Sequence, residues 1–424
     1  MRCPRARCTH PLAAVIFIYF QNDSCRRACI VAPSFTPVLH VHPLPTHKIV
    51  TSTKKTYRAV LVGTGAIGDA HVRAVEATQG RVTLVAAVDI DAQRVGDFAR
   101  KHGIPGQYTD FTAMLAKEKP DIALIATPPA QHMPMSVAAM EAGAWVLCEK
   151  PLCGSLAEFD LISAAEQRTG RYTACIFQMR FGSSTAHLKR LAENGQLGRP
   201  LVGVCNTLWY RDVAYYAVPW RGRWETELGG PTMGLGIHAM DHFLHLMGDW
   251  RSVRAAAGTL DRAIEVEDVS MAIVTFASGA MGSIVNSALS PRQETYIRLD
   301  YQKATVELTH LYGYTRDNWK LTPVPPAQDD GLLQVWQSFP PEIGATHGTQ
   351  LNAMVADMDA QRRPLTSGNE SRQTLELLTA IYKSAFTGEI VTRGSIQPGD
   401  PFYNALHGHC APKRTKGQPP NGQG

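Results

Sequence analysis

The stretch that most constrains this chain is YRAVLVGTGAIG, residues 57–68. A continuous apolar run of this kind suits a strand buried on both faces of a parallel sheet. It ends in Gly63, Gly65 and Gly68, spaced G-x-G-x-x-G, and a helical pattern, DAHVRAVEAT, follows at once. The next apolar strand, RVTLVAAVD, closes on Asp89, twenty-one residues after Gly68. Each part has a physical role in a dinucleotide site. Gly63 permits a tight turn, and Gly65 lets backbone approach a pyrophosphate. Gly68 lets the helix pack on the strand. Ala66 and Ile67 complete the loop, whose helix N-terminus faces the phosphates, and Asp89 can accept from the ribose hydroxyls. Asp89 would repel a 2′-phosphate, which favours NAD. Arg94, five residues on, softens that preference and leaves NADP possible.

The alternation continues. DAQRVGDFARKHG and DFTAMLAKEKP read as helices, DIALIAT as a strand, residues 132–142 as a helix, and AWVLCE as a further strand. Strands alternating with helices imply an α/β Rossmann domain with a doubly wound parallel sheet. Ligands of such sheets sit beyond the carboxyl ends of the strands. Thr127, Pro128, His132, Glu149 and Lys150 all fall at such ends and are candidate cofactor contacts.

After the helix SLAEFDLISAAEQRTG, six successive strand patterns follow, from RPLVGVCNTLWYR to KATVELTH. Runs of strands imply a second, α+β domain with an open, mostly antiparallel sheet. One insert reads as a helix from Pro231 to about Met247, with His238, Asp241, His242 and His245 at i, i+3, i+4 and i+7 on one face. Three readings compete: a solvated polar face, a metal site gripped by His at i and i+4, and an acid/base site led by His238 with Asp241 as its orienting group. Trp209, Trp220 and Trp224, with Arg221 and Arg223, lie on or beside the insert and suit either a sugar ring or rim packing.

Length and composition allow this plan. The chain has 424 residues, 44% hydrophobic and 19% charged, enough for two domains. A net charge of +5 without a basic, aromatic-interleaved stripe argues against nucleic-acid binding. Of nine cysteines, four (Cys3, Cys8, Cys25, Cys29) lie near the start without knuckle spacing, and the rest read as free buried thiols of a reducing cytoplasm. The apolar run Pro11–Phe20 is too short to span a bilayer. Residues 1–55 are expected to be a disordered or mis-assigned extension, with Val50 as a natural start. Residues 56–175 are expected to form the Rossmann domain, 176–396 the second domain, and 397–424 a disordered tail.

GTGAIG, ATPPAQH, CEKPL, GGPTMGLGIHAMD and the closing LTSGNESRQTLELLTAIYKSAFTGEIV together resemble the Gfo/Idh/MocA family, which includes glucose–fructose oxidoreductase and inositol dehydrogenase. The resemblance spans about Tyr57 to Arg393. It implies NAD(H) or NADP(H), hydride transfer at a sugar, inositol or related hydroxyl, and a homodimer or homotetramer; from the residues themselves no metal and a cytoplasmic location are expected. It also implies that Lys150, in E-K-P, lies near the nicotinamide and the reacting oxygen, and that His238 exchanges the proton. Gln178 and Arg180, in FQMRF, would touch substrate or brace the domain junction, and Trp220 would line the substrate site. One departure stands out. Many relatives carry an aspartate four residues before the histidine, where this chain has Gly234. Asp241, Glu225 and Glu227 are the candidate replacements. Two further readings remain at this point: a redox-neutral, NAD-dependent glycosidase-type enzyme, and a non-catalytic NAD-binding sensor.

Overall fold

Alternating buried strands and amphipathic crossovers organise the first half. The computed structural model describes residues 55–325 and 331–410. The proposed N-terminal extension, its four cysteines and the end of the C-terminal tail lie outside those residues. Six parallel strands form one sheet in the order β3-β2-β1-β4-β5-β6: β1 (Tyr57–Val62), β2 (Val82–Val88), β3 (Gly106–Tyr108), β4 (Ile122–Ile125), β5 (Trp145–Cys148) and β6 (Thr173–Cys175). Helices α1 (Gly68–Glu76), α2 (Ala92–His102), α3 (Phe111–Glu118), α4 (His132–Glu141) and α5 (Leu156–Thr169) connect them. β4 and β5 are buried at every residue, as strands covered on both faces must be. Helix starts follow side-chain caps: Asp91, Asp110 and Ser155 each accept the backbone N–H three residues on.

After α6 (Ser183–Glu193), a helix the sequence pattern did not separate, the chain builds an eight-stranded sheet. Its strands are β7 (Pro200–Tyr210), β8 (Trp250–Gly258), β9 (Val269–Phe276), β10 (Met281–Ser287), β11 (Leu289–Tyr301), β12 (Ala304–His310), β13 (Trp319–Pro323) and β14 (Val391–Thr392). They run in the order β13-β12-β11-β7-β10-β9-β8-β14. Every pair is antiparallel except β7 with β10. One face is covered. Alternation leaves Val202, Met271, Ile273 and Met281 exposed on the other.

Between β7 and β8 lie α7 (Val213–Tyr216), α8 (Pro231–Gly234) and α9 (Ile237–Met247). The single helix expected over 231–247 is therefore two. The Pro231 carbonyl accepts from both Leu235 and Gly236, and the Gly236 carbonyl then starts α9 by accepting from Met240. Two glycines, poor helix formers, permit this break. The solvated-face reading of α9 also fails, because all its residues except His245 are buried. The helix is enclosed by β7, β11 and α12 (Asn369–Thr387).

Two boundaries also change. After α10 (Leu332–Gln337), helix α11 (His347–Asp359) returns to the first half. There Leu351, Met354, Val355 and Met358 share a core with Tyr57, Leu61 and Val72. Asp359 accepts from the Tyr57 hydroxyl at 2.8 Å and pairs with Arg81 at 2.7 Å. Part of residues 176–396, helix α11, thus shares the core of the first half. The tail expected to be disordered from 397 is structured to 410: α13 (Pro401–Asn404) buries Phe402, Leu406 is buried beside it, and Tyr403 bonds Asp160.

Candidate functional site

The glycine loop joins β1 to α1 at the carboxyl edge of the parallel sheet. Gly63 has φ +94°, and a Cβ there would meet the Ala126 carbonyl at 2.8 Å. That position demands glycine twice over, for its backbone angle and for its close approach to the neighbouring strand. At Gly68 a Cβ would press on the Phe98 ring at 3.0 Å, so glycine lets α1 pack. A Cβ on Gly65 would meet nothing within 4 Å, and Gly65 and Ala66 are exposed. The loop presents bare backbone, the surface a pyrophosphate needs. Ile67 precedes the first turn of α1.

Asp89 follows β2. Its carboxylate accepts from the Thr64 N–H at 2.9 Å, the Thr64 hydroxyl at 3.0 Å, the Asp91 N–H at 3.1 Å and Arg94 at 2.9 Å. Burial works against its charge, but these donors outweigh it and hold the carboxyl below its ordinary range. Thr64, Arg94, Phe98 and Lys101 line a surface pocket here. Arg94 thus sits on Asp89 as an ion pair at 2.9 Å.

Of the residues after β4 and β5, Thr127 is half-buried and Pro128 exposed, while His132 is buried. The His132 ring nitrogens lie 2.6 Å from the Pro151 carbonyl and 2.8 Å from the Thr127 carbonyl. His132 is a brace tying the two loops together, not a group facing the cleft. Glu149 is buried between His347 at 3.0 Å and His71 at 3.3 Å, on helices α11 and α1. Burial opposes the Glu149 charge, but the two imidazoles outweigh it and hold the carboxyl well below the usual range. Among the described residues these three are the group whose ligand atoms lie close enough to share a metal ion. The α9 histidines, for which a metal site was one of three competing readings, are not among such a group in the described residues.

Lys150 is half-buried, and its Nζ donates to the Gly234 carbonyl at 2.9 Å. Burial lowers its pKa, with Glu149 acting in the opposite sense. His238 stands in the same neighbourhood, edge-on to Phe177 at 6.4 Å and to Tyr312 at 5.8 Å between ring centroids. It is buried, and neither ring nitrogen has a hydrogen-bond partner in the protein. Burial, with Lys150 nearby, pushes its pKa down to about 3, so the imidazole is neutral. Gln178 donates to the Tyr312 hydroxyl at 3.2 Å, while its buried Oε1 has no partner. Buried polar atoms left open in this way call for an explanation, and a ligand supplies one.

The other polar residues of α9 point elsewhere. Asp241 is gripped by Arg180 through two 2.7 Å bonds and by the Thr374 hydroxyl at 2.9 Å. Arg180 also bonds Glu370 at 2.6 Å, and its side chain is fully buried. Although burial works against it, Asp241 and Glu370 raise the Arg180 pKa. This pair is an internal brace. These contacts favour the bracing alternative for Arg180 and turn the Asp241 carboxylate toward Arg180 and Thr374 rather than His238. His242 lies beside the Thr185 hydroxyl at 2.8 Å and stacks on Tyr314, while His245 sits near Arg180.

The insert forms the rim. Trp220 is 39% exposed, and the Arg221 guanidinium lies over both its ring and that of Tyr215. Glu225 is exposed, whereas Glu227 is buried and bonds Arg221 at 2.9 Å. His71, His347 and Tyr312 were not singled out from the sequence. Only His71 left a signal, three residues after Gly68 on the inward face of α1.

With this geometry in place, the comparisons are specific. The model of the oxidoreductase family with an NAD-binding Rossmann fold matches residues 57–176, and that of the GFO/IDH/MocA C-terminal domain matches 185–307. D-apiose dehydrogenase of Paraburkholderia graminis is 29% identical over 358 residues, covering 83% of this chain and 93% of that protein. D-glucoside 3-dehydrogenase of Escherichia coli is 26% identical, covering 79% and 97%. The WlbA dehydrogenase from Bordetella pertussis, solved with NADH and UDP-GlcNAcA, matches with a TM-score of 0.71 at 28% identity, covering 80% of this chain and 99% of that one. Fold, glycine loop and both matched domains agree: the chain belongs to the Gfo/Idh/MocA family and is an NAD-dependent oxidoreductase.

Proposed function

We propose that this enzyme oxidises a secondary hydroxyl of a sugar or closely related polyol, or reduces the matching ketone, with Lys150 and His238 handling the reacting oxygen and its proton. The observation that carries this reading is the convergence of the Lys150 ammonium, the unpartnered His238 ring and the open Gln178 Oε1 beside the carboxyl ends of the strands. The names of the relatives, which act on D-apiose and D-glucosides, point to the same substrate class.

The glycine loop cradles the pyrophosphate, with Gly65 leaving the approach clear, and Asp89 takes the ribose hydroxyls. The bound nicotinamide supplies the hydride acceptor at C4. A hydroxyl parts with hydride only as its proton is taken. His238, kept neutral by burial, accepts that proton. Lys150 donates to the oxygen and stabilises its developing negative charge. Its lowered pKa makes it the alternate base. Trp220 and Arg221 offer an apolar face and hydrogen-bond donors to the rest of the ring. The exposed strip of Val202, Met271, Ile273 and Met281 packs against a second copy to form the homo-oligomer.

The test is a panel of pentoses, hexoses, glucosides, inositols and nucleotide sugars with NAD and NADP, followed at the NADH absorbance band. Steady NADH formation with at least one member is expected. Tight NADH binding with no turnover on any member would refute the reading in favour of a cofactor-binding sensor. Product release from an aryl glycoside without net NADH would refute it in favour of redox-neutral cleavage.

A further inference from the structure

Glu227 is a buried acid that the mechanism above does not use. The turn at residues 221–227 folds it inward. Its backbone N–H bonds the Arg223 carbonyl, the Gly222 N–H donates to its Oε2 at 2.6 Å, and Arg221 donates to its Oε1 at 2.9 Å. That same Oε1 lies 3.7 Å from the point where a Cβ on Gly234 would stand. Gly234 is also the residue whose carbonyl receives the Lys150 ammonium. Both carboxylate oxygens of Glu227 are therefore held by the rim, and Oε1 also borders the residue whose carbonyl holds Lys150.

A carboxylate that served only to close its own turn would not need to be buried against the lysine's anchor. Removing a carboxylate from water is costly unless charges compensate it. Two compensating charges are on hand, Arg221 in direct contact and Lys150 across Gly234. An acidic side chain at 234 would project from a Cβ only 3.7 Å from Oε1, so two carboxylates would crowd one space. An acidic residue at 234 and the glutamate at 227 are alternative ways to put one negative charge there, and with glycine at 234 the space is left to Glu227.

We infer that Glu227 is the positioning residue of this site, supplying from the rim the carboxylate that position 234 lacks and holding the Lys150 ammonium charged and aimed. The inference rests on the proposed role of Lys150 as the group at the reacting oxygen. Burial raises the Glu227 pKa, with Gly222, Arg221 and Lys150 opposing; at Lys150 burial acts downward, Glu149 is the larger upward influence, Arg221 acts downward, and Cys175 and Glu227 add to Glu149. Loss of the Glu227 charge must therefore lower the lysine's pKa.

The experiment uses the full-length enzyme and its Glu227→Gln, Glu227→Ala and Glu227→Ala/Gly234→Asp variants, each checked for an unchanged melt. Competitive acetylation of lysines with acetic anhydride across pH, read by peptide mass spectrometry, reports the Lys150 pKa without needing a substrate. In Glu227→Gln that titration is expected to move to lower pH by at least half a unit. The Lys150 limb of the kcat/KM–pH profile is expected to move the same way, with a drop in kcat of at least tenfold. In the double variant the added aspartate is expected to restore most of both. A Lys150 titration identical in wild type and Glu227→Gln would overturn the inference, as would a double variant no better than Glu227→Ala. If the titration shifts while no substrate of the panel turns over, the electrostatic role of Glu227 stands and the proposed reaction fails instead.

Discussion

The cofactor side and the reactive side of this site are built on opposite plans. On the cofactor side the polar groups are already engaged. Asp89 takes bonds from Thr64, Asp91 and Arg94, His132 lies between two carbonyls, and Glu149 lies between two histidines. On the reactive side His238 and the Gln178 Oε1 are buried without partners, and Lys150 has a single backbone acceptor. Leaving a buried polar atom open costs about 1–3 kcal/mol. The fold accepts that cost where a substrate would repay it. The first side is a cradle of backbone and braced carboxylates, and the second holds the open side chains proposed above to meet the reacting oxygen and its proton.

That contrast can be broken by mutation. Lys150→Ala should lower kcat by at least a hundredfold while NADH binding, followed by fluorescence titration, changes little. Unchanged turnover would remove Lys150 from the chemistry. Arg180→Ala should act on stability instead, because it strands the buried Asp241. A loss of about 3–5 kcal/mol is expected, seen in denaturant unfolding, and a folded variant with only a raised KM would return Arg180 to the substrate. Asp89→Ala removes an acceptor worth roughly 1.5–3 kcal/mol, so NAD affinity should fall about tenfold or more. NADP affinity should fall less, since Arg94 remains, and equal losses would discredit the ribose assignment.

The smallest effect is a pH dependence of stability. Burial holds the pKa values of His238 and His242 at about 3 and that of His310 at about 4, all below the value of about 6.5 expected in the unfolded chain. The unfolded chain therefore binds more protons as pH falls below about 6.5, and stability declines from there toward pH 4. Each histidine contributes a slope of up to about 1.4 kcal/mol per pH unit. Melts at pH 7.5 and 5.5 should show the decline, and His242→Gln should make it shallower. A flat profile would mean that these imidazoles reach water.

The legible parts of the site were those whose chemistry is local. The strand, three glycines, helix and terminal acid of residues 57–89 are contiguous, so their spacing alone implied how they fold together. His238 and Lys150 could be named from their settings, but not their nearness, which depends on Lys150 reaching the carbonyl of Gly234. The partner of Asp241 was hidden for the same reason, while for Arg180 the contacts favour the bracing alternative. Spacing on α9 put Asp241 on a face with His238, but the helix is buried nearly all round, and the contact that claims Asp241 comes from Arg180, sixty-one residues away. His347 and Tyr312 had no local pattern to announce them.

By itself, the sequence determined the doubly wound sheet, the glycine loop, the strand-rich second half and the family. These follow from hydrophobic period and backbone freedom, which act over a few residues. The tertiary structure alone decided which polar groups are paired and which are open. It returned α11 to the first half to set His347 on Glu149, and it placed Glu227 beside Gly234. The physical reason is that burial and charge pairing depend on contacts between segments far apart in the chain, and side-chain spacing carries no record of them.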